Sequence, residues 1–206
     1  DGVYSVANSC RFNRTDDAYM YKDFGTSSDE KKFTFSCWFK LSDLSTASVG
    51  RNIIYNYADD NNRGYIQLEP ADTLFIFIKG GGSDQLQWRS TQLFRDVGAW
   101  YNLVVKADST ESSQDDRFRV YINGTEVTAW TKDTQPDQNV DWGFNADSAR
   151  ANVGSNSTPG GYFGGYMSEV VMLDGQVSAV TNFGEFDSDS PTIWKPIDVS
   201  GLTFGT

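Results

Sequence analysis

The stretch Phe33-Thr34-Phe35-Ser36-Cys37-Trp38-Phe39-Lys40 decides the fold. Its apolar residues alternate, so Phe33, Phe35, Cys37 and Phe39 fall on one side of an extended chain and Thr34, Ser36, Trp38 and Lys40 on the other. That is the period of a strand covered on one face, and it predicts that the second face is wet or functional. The same period recurs at Phe118, Val120 and Ile122, which oppose Arg119 and Tyr121. No stretch of ten to fifteen residues carries a helical period.

Outward from this strand, twelve segments read as short strands: 4–13, 18–22, 33–42, 52–57, 65–69, 74–79, 86–90, 101–107, 117–122, 126–130, 151–154 and 166–173. Turn residues separate them. Asn123-Gly124 is the strongest hairpin signal, because a two-residue hairpin turn needs positive φ at both positions. Gly80-Gly81-Gly82-Ser83-Asp84 and Pro159-Gly160-Gly161 are further turns. Many short strands without helical crossovers predict an all-β fold, a two-sheet antiparallel jelly-roll sandwich. Residues 1–182 form that sandwich. Residues 183–206 read as an extended tail, preceded by one helical turn at 178–183, and held down by Phe183, Phe186 and Trp194. It has no stop signal of its own, so a longer natural chain is expected.

Composition narrows the chemistry. The 206 residues contain no histidine, which excludes Ser-His-Asp and Cys-His nucleophile systems and His-bearing zinc sites. A net charge of −11 gives no electrostatic reason to approach nucleic acid or anionic lipid. No apolar run approaches the length of a membrane span, and Asp1 opens no leader pattern, so neither nucleic-acid binding nor membrane insertion is expected. Carboxylates remain as catalytic groups and calcium as the natural ion. The two cysteines, Cys10 and Cys37, are expected as buried core thiols, with a single bridge as the alternative.

Four landmarks in order carry a resemblance: residues 33–40, then Trp100-Tyr101-Asn102-Leu103-Val104-Val105, then Arg119-Val120-Tyr121-Ile122-Asn123-Gly124, then Tyr162-Phe163-Gly164-Gly165-Tyr166-Met167-Ser168-Glu169-Val170. Together they resemble the laminin-G-like, concanavalin A-like lectin/glucanase superfamily, which includes the pentraxins. The resemblance implies a jelly roll with one concave sheet. At the two ends, residues 4–13, Leu93-Phe94-Arg95-Asp96, Phe183-Gly184-Glu185-Phe186-Asp187 and Trp194-Lys195-Pro196 are similar to domains of virion proteins in marine tailed bacteriophages. That likeness implies a surface module of a fibre, spike or capsid decoration, located on a virion surface or otherwise extracellular. Its implied partners are a host glycan or other virion subunits, in a homo-oligomer or larger assembly.

Three sets of residues are candidates for chemistry. Trp88, Trp130 and Trp142, with Tyr57, are candidate ligand-binding residues, because planar aromatics flanked by Asp, Asn and Gln stack sugar rings while polar neighbours bind the hydroxyls. Tyr65 and Tyr121 join them, whereas Trp38 and Trp100 read as packing residues. Tyr57-Ala58-Asp59-Asp60-Asn61-Asn62 resembles the pentraxin loop that ligates calcium, which makes Asp59, Asp60, Asn61 and Asn62 candidate ligands. The alternative is a solvated acidic turn, since the later loop Gly154-Ser155-Asn156-Ser157-Thr158 supplies no carboxylate. Glu185-Phe186-Asp187-Ser188-Asp189 resembles the carboxylate run of laminarinase-type glucanases but has Ser190 where a second Glu belongs. No complete catalytic constellation is present. The expectation is a non-catalytic module, with a calcium-dependent pentraxin-like lectin and a glycoside hydrolase using Glu69, Glu126, Glu169 or Asp174 as alternatives.

Overall fold

The structure is a computed structural model and describes residues 4–44 and 49–204. Fifteen strands follow in chain order: β1 Cys10–Phe12, β2 Met20–Asp23, β3 Lys32–Leu41, β4 Arg51–Asp59, β5 Asn62–Leu68, β6 Thr73–Gly80, β7 Ser83–Leu93, β8 Tyr101–Asp108, β9 Phe118–Ile122, β10 Thr125–Glu126, β11 Trp130–Thr134, β12 Arg150–Val153, β13 Gly165–Asp174, β14 Glu185–Phe186 and β15 Trp194–Lys195. They make a six-stranded sheet in the order β1-β13-β3-β8-β9-β10 and a seven-stranded sheet in the order β11-β7-β6-β5-β4-β12-β2. The ladders are antiparallel, and β14 with β15 forms a separate small hairpin. The fold is an all-β jelly-roll sandwich.

Period-two alternation builds the core. Phe33, Phe35, Cys37, Phe39 and Leu41 of β3, with Leu103 and Val105 of β8, face Ile54, Ile66, Leu74, Ile76 and Leu86 of the seven-stranded sheet. Each such side chain contributes roughly 1.5–3 kcal/mol when fully buried. The turn Gly143–Asn145 inserts beneath β4–β6, where Phe144 stacks on Phe33 at 4.8 Å and its carbonyl accepts from Asn56 Nδ2.

The second face of β3 is dry at Thr34 and Ser36, contrary to the reading from alternation alone. Thr34 and Ser36 are buried because the C-terminal segment lies across them: Thr34 Oγ1 donates to Gln176 O and accepts from Ser178 N. Val104, Val171 and Leu173 pack there with Phe183 and Val199. The Trp194 indole N–H donates to Asn102 Oδ1 at 2.9 Å. Phe186 is exposed but sets its ring edge-on against Trp194.

Other expectations shift in detail. The first strand contracts to Cys10–Phe12, of which only Phe12 is buried; Cys10 is exposed, and both cysteines are free thiols. Burial pushes the Cys37 thiol pKa up. The single strand expected at 126–130 is two elements, because the chain leaves the six-stranded sheet after Glu126 and enters the seven-stranded one at Trp130. Asn123 and Gly124 both have positive φ, as their hairpin turn requires.

Candidate functional site

The outward face of the seven-stranded sheet is organised in rows that cross the strands. Cross-strand pairing aligns Tyr21, Asn152, Tyr55, Tyr65, Phe77, Gln87 and Thr134. Two residues along on β5, β6 and β7, and three on β4 and β11 where the ladder bulges, a second row runs Asn52, Gln67, Phe75, Arg89 and Thr131. On the other side lie Asp23, Arg150, Tyr57, Arg63 and Lys79. With neighbours about 4.8 Å apart, seven strands span roughly 29 Å. Tyr55, Tyr65 and Phe77 are half-buried, unlike Thr34, Ser36, Asn102 and Val104 on the outward side of β3 and β8, which are buried.

Tyr55 and Tyr65 stack at 5.0 Å and 11°, and Tyr65 and Phe77 at 5.3 Å and 28°. Rings standing side by side at the strand spacing cover one another's faces and turn edges and phenol groups outward. Neither the Tyr55 nor the Tyr65 hydroxyl has a hydrogen-bond partner among the described residues. Burial pushes the Tyr65 phenol up from its ordinary value, so it stays neutral and can both donate and accept. At one end of the row the Arg89 guanidinium lies over Phe75 and forks onto Glu69, Nε to Oε2 at 2.5 Å and Nη2 to Oε1 at 3.0 Å. At the other end the buried carboxamide oxygens of Asn52, Asn152 and Asn156 have no donor, while their nitrogens are anchored for Asn52 and Asn152 on Gly161 O and Asn156 O.

The four aromatic candidates do not form one site. Tyr57 stands on this outward face with its hydroxyl donating to Asp60 Oδ1 at 3.2 Å. Trp88 points inward and is buried, its N–H donating to Thr134 O. The half-buried Trp130 packs on it at 5.6 Å, and the two line a cleft of about 270 Å³ at the sandwich edge with Asp115, Arg119, Glu126 and Lys132. Trp142 is a core residue with no surface, its ring against Phe33 and its N–H on Lys31 O, which removes it from any ligand contact in this state. Tyr121 packs under the C-terminal segment. The row centred on Tyr55, Tyr65 and Phe77 escapes a linear reading because its members come from three strands.

The calcium-like donor set does not fit the ion. Asp59 Oδ1 accepts from Asn61 N at 2.7 Å and Asn62 N at 3.0 Å, and the Asn62 side chain with these turn amides holds its carboxyl below the usual range. Its lone pairs therefore close the turn, and the Asp60 side chain is 89% exposed. Because Arg150 pairs with Tyr57 and Val153 with Ile54, the 59–62 turn and the 154–158 loop lie at opposite ends of the β4–β12 ladder. A site needing 6–8 oxygens cannot draw on both. Among the described residues no three Asp, Glu, Cys or His side chains converge.

The candidate carboxylates are also separately engaged. Glu69 is paired with Arg89, Glu126 with Arg119, and Glu169 accepts from Tyr4 Oη at 2.8 Å. Asp174 accepts from Ser27, Ser28 and Asn145, and Lys195 bridges Glu185 and Asp187 in the C-terminal hairpin.

Comparison with known proteins follows the fold. The laminin G family model described as the concanavalin A-like lectin/glucanases superfamily matches residues 13–180. No curated protein matches the chain. Among solved structures, a native heptameric SAP-like pentraxin from Limulus polyphemus aligns with a TM-score of 0.55 at 15% identity, over 82% of this chain and 77% of its own. Domains LG4-5 of the mouse laminin alpha1 chain give 0.56 at 14% identity, over 87% of this chain and 48% of theirs, so this chain spans about half of that fragment. The CBM40 of Ruminococcus gnavus IT-sialidase, bound to alpha2,3 sialyllactose, gives 0.50 at 11% identity over 80% and 95%. At such identities the likeness is one of fold.

Proposed function

The chain belongs to the concanavalin A-like lectin/glucanase superfamily, and from that membership we propose that it is a non-catalytic carbohydrate-binding module whose ligand lies along the outward rows of the seven-stranded sheet. The observation that carries this reading is the Tyr55–Tyr65–Phe77 row: apolar ring edges, two unpartnered phenol hydroxyls, and polar groups at both ends. A saccharide chain offers the complementary chemistry, C–H patches for the rings and hydroxyls that donate to and accept from the tyrosine phenols. Several solved relatives by fold carry carbohydrate-binding names, among them the sialyllactose-bound CBM40, which supports the ligand class.

The finer reading is a module displayed on a phage virion, extracellular, and repeated in an oligomer or larger assembly. It is supported by the sequence likeness of residues 4–13, 93–96, 183–187 and 194–196 to virion domains. Repetition would multiply a weak single-site contact. The experiment is a glycan-array screen of the multimerised domain, run with and without calcium, beside an assay for reducing ends released from algal and bacterial polysaccharides. Array binding that is indifferent to calcium, without release of reducing ends, is the expected result. Release of reducing ends would overturn the non-catalytic reading, and an empty array would overturn the glycan reading.

A further inference from the structure

Four of the six tryptophans are satisfied twice over. Trp88, Trp130, Trp142 and Trp194 each make a ring–ring contact and each donate the indole N–H to a protein acceptor. Trp38 and Trp100 do neither among the described residues. Both read as packing residues from the sequence, yet Trp100 is 37% exposed, and Trp38, 7% exposed, holds a buried N–H with no acceptor among the described residues. Leaving a buried donor unpaired is costly, so such a group calls for a partner.

These two tryptophans line one cavity. It has a volume of about 410 Å³ and lies on the outer side of the six-stranded sheet, where Tyr4 to Ser9 on one side and Pro196 on the other leave β3 and the start of β8 between them. Trp38 faces outward there because its neighbours Cys37 and Phe39 face the core. Ser168, directly paired with Trp38 on the adjacent strand, donates to Asn8 O, and Tyr4 donates to Glu169, which tie the N-terminal segment across the cavity. Glu169 holds φ at +47° in the β13 irregularity between Ser168 and Val171, an uncommon backbone for a residue with a side chain.

We propose that this cavity is a second binding site, distinct from the open rows of the opposite sheet, and that it takes a single pyranose unit. The pairing of flat apolar surface with a buried donor selects a ligand with one C–H face and oxygen acceptors on its rim. Ser168 and the Tyr4–Glu169 pair supply polar groups beside the rings. A sugar hydroxyl accepts from Trp38 Nε1 after a small displacement of the Tyr4–Ser9 segment, and Trp100 covers the ring from the exposed side. The volume suits a mono- or disaccharide rather than a long chain.

The test is a titration of tryptophan emission in the full chain, with saturation-transfer NMR on the same samples. The probes are methyl β-D-glucopyranoside, methyl β-D-galactopyranoside and methyl N-acetyl-β-D-glucosaminide, with decaproline as the competing class. Saturable binding of at least one pyranoside is expected, lost on Trp100→Ala and retained on Asp137→Ala, an exposed position outside both sites. Trp38→Phe, which keeps a ring and deletes the N–H, should weaken it about two- to tenfold. Should Trp38→Phe fail to fold, the exposed Trp100→Ala carries the test. The proposal is overturned if none of the three pyranosides saturates, if Trp100→Ala leaves binding unchanged, or if only decaproline binds. Loss on Tyr65→Ala with Trp100→Ala unaffected would place the sugar on the opposite sheet and leave the proposed function standing without this site.

Discussion

Arg51 is a charged residue that the core accepts only because of its partners. It is 1% exposed, and its guanidinium donates to Asp72 Oδ1 at 2.9 Å and to Asp43 O at 3.2 Å. Burial pulls its pKa down, and Asp72 opposes that. The second Asp72 oxygen accepts from Arg95, whose side chain is largely exposed. Asp72→Ala strands a buried cation and should cost about 3–5 kcal/mol. Arg95→Ala removes only a solvent-screened pair, about 0–1 kcal/mol. Urea unfolding of the two variants beside the parent checks the ranking; equal effects would show that Arg51 does not depend on Asp72. None of this was legible in the sequence, since Arg51 and Asp72 sit twenty-one positions apart without a motif.

At the level of elements, the C-terminal segment decides which sheet is covered. Removing residues 183–206 should uncover Val104, Val171 and Leu173, and the shortened chain should bind an apolar dye and unfold at lower urea. An unchanged midpoint would mean that the segment rests on the sheet without stabilising it. A second clamp is Asp174 at the end of β13. Desolvation pushes its carboxyl up, but the hydrogen bonds from Ser27, Ser28 and Asn145 together outweigh this and hold the pKa below the ordinary value. The lowered pKa means stability that is present above about pH 4 and lost as the pH falls further, through the folded-state value. Asp174→Asn should be less stable than the parent at pH 7, with the gap closing below about pH 4. A gap independent of pH would contradict the assignment.

The strands themselves were readable, because alternation at Phe33–Phe39 and Phe118–Ile122 and the Asn123-Gly124 turn are local signals. What alternation cannot say is whether the second face of a strand meets water or more protein. Thr34 and Ser36 look solvent-facing and are buried by residues more than 140 positions later. The same limit misplaces Trp142, whose polar neighbours suggest a rim and whose ring fills the core. The tyrosine row is legible only at Tyr65, a candidate from the sequence, for a further reason: Tyr55, Tyr65 and Phe77 become neighbours only through strand register.

For the whole molecule, the two sheets divide their roles. One is overlaid by the chain's own ends, and the other presents half-buried aromatics and hydrogen-bonding groups. Asp59 closes its own turn and the 154–158 loop lies at the far end of the ladder, so the two loops do not converge on one ion. Thermal unfolding should therefore be superimposable in calcium and in chelator; a melting temperature raised by calcium would restore the ion-dependent alternative.

The claim that the outward rows hold the ligand is tested most directly by backbone amide NMR of the full chain, titrated with the glycan that the array identifies. The account predicts saturable shift changes concentrated at Tyr55, Tyr65, Phe77, Gln87 and Arg89, abolished by Tyr65→Ala. Shifts confined to the Trp88–Trp130 cleft, or binding that survives Tyr65→Ala undiminished, would contradict it.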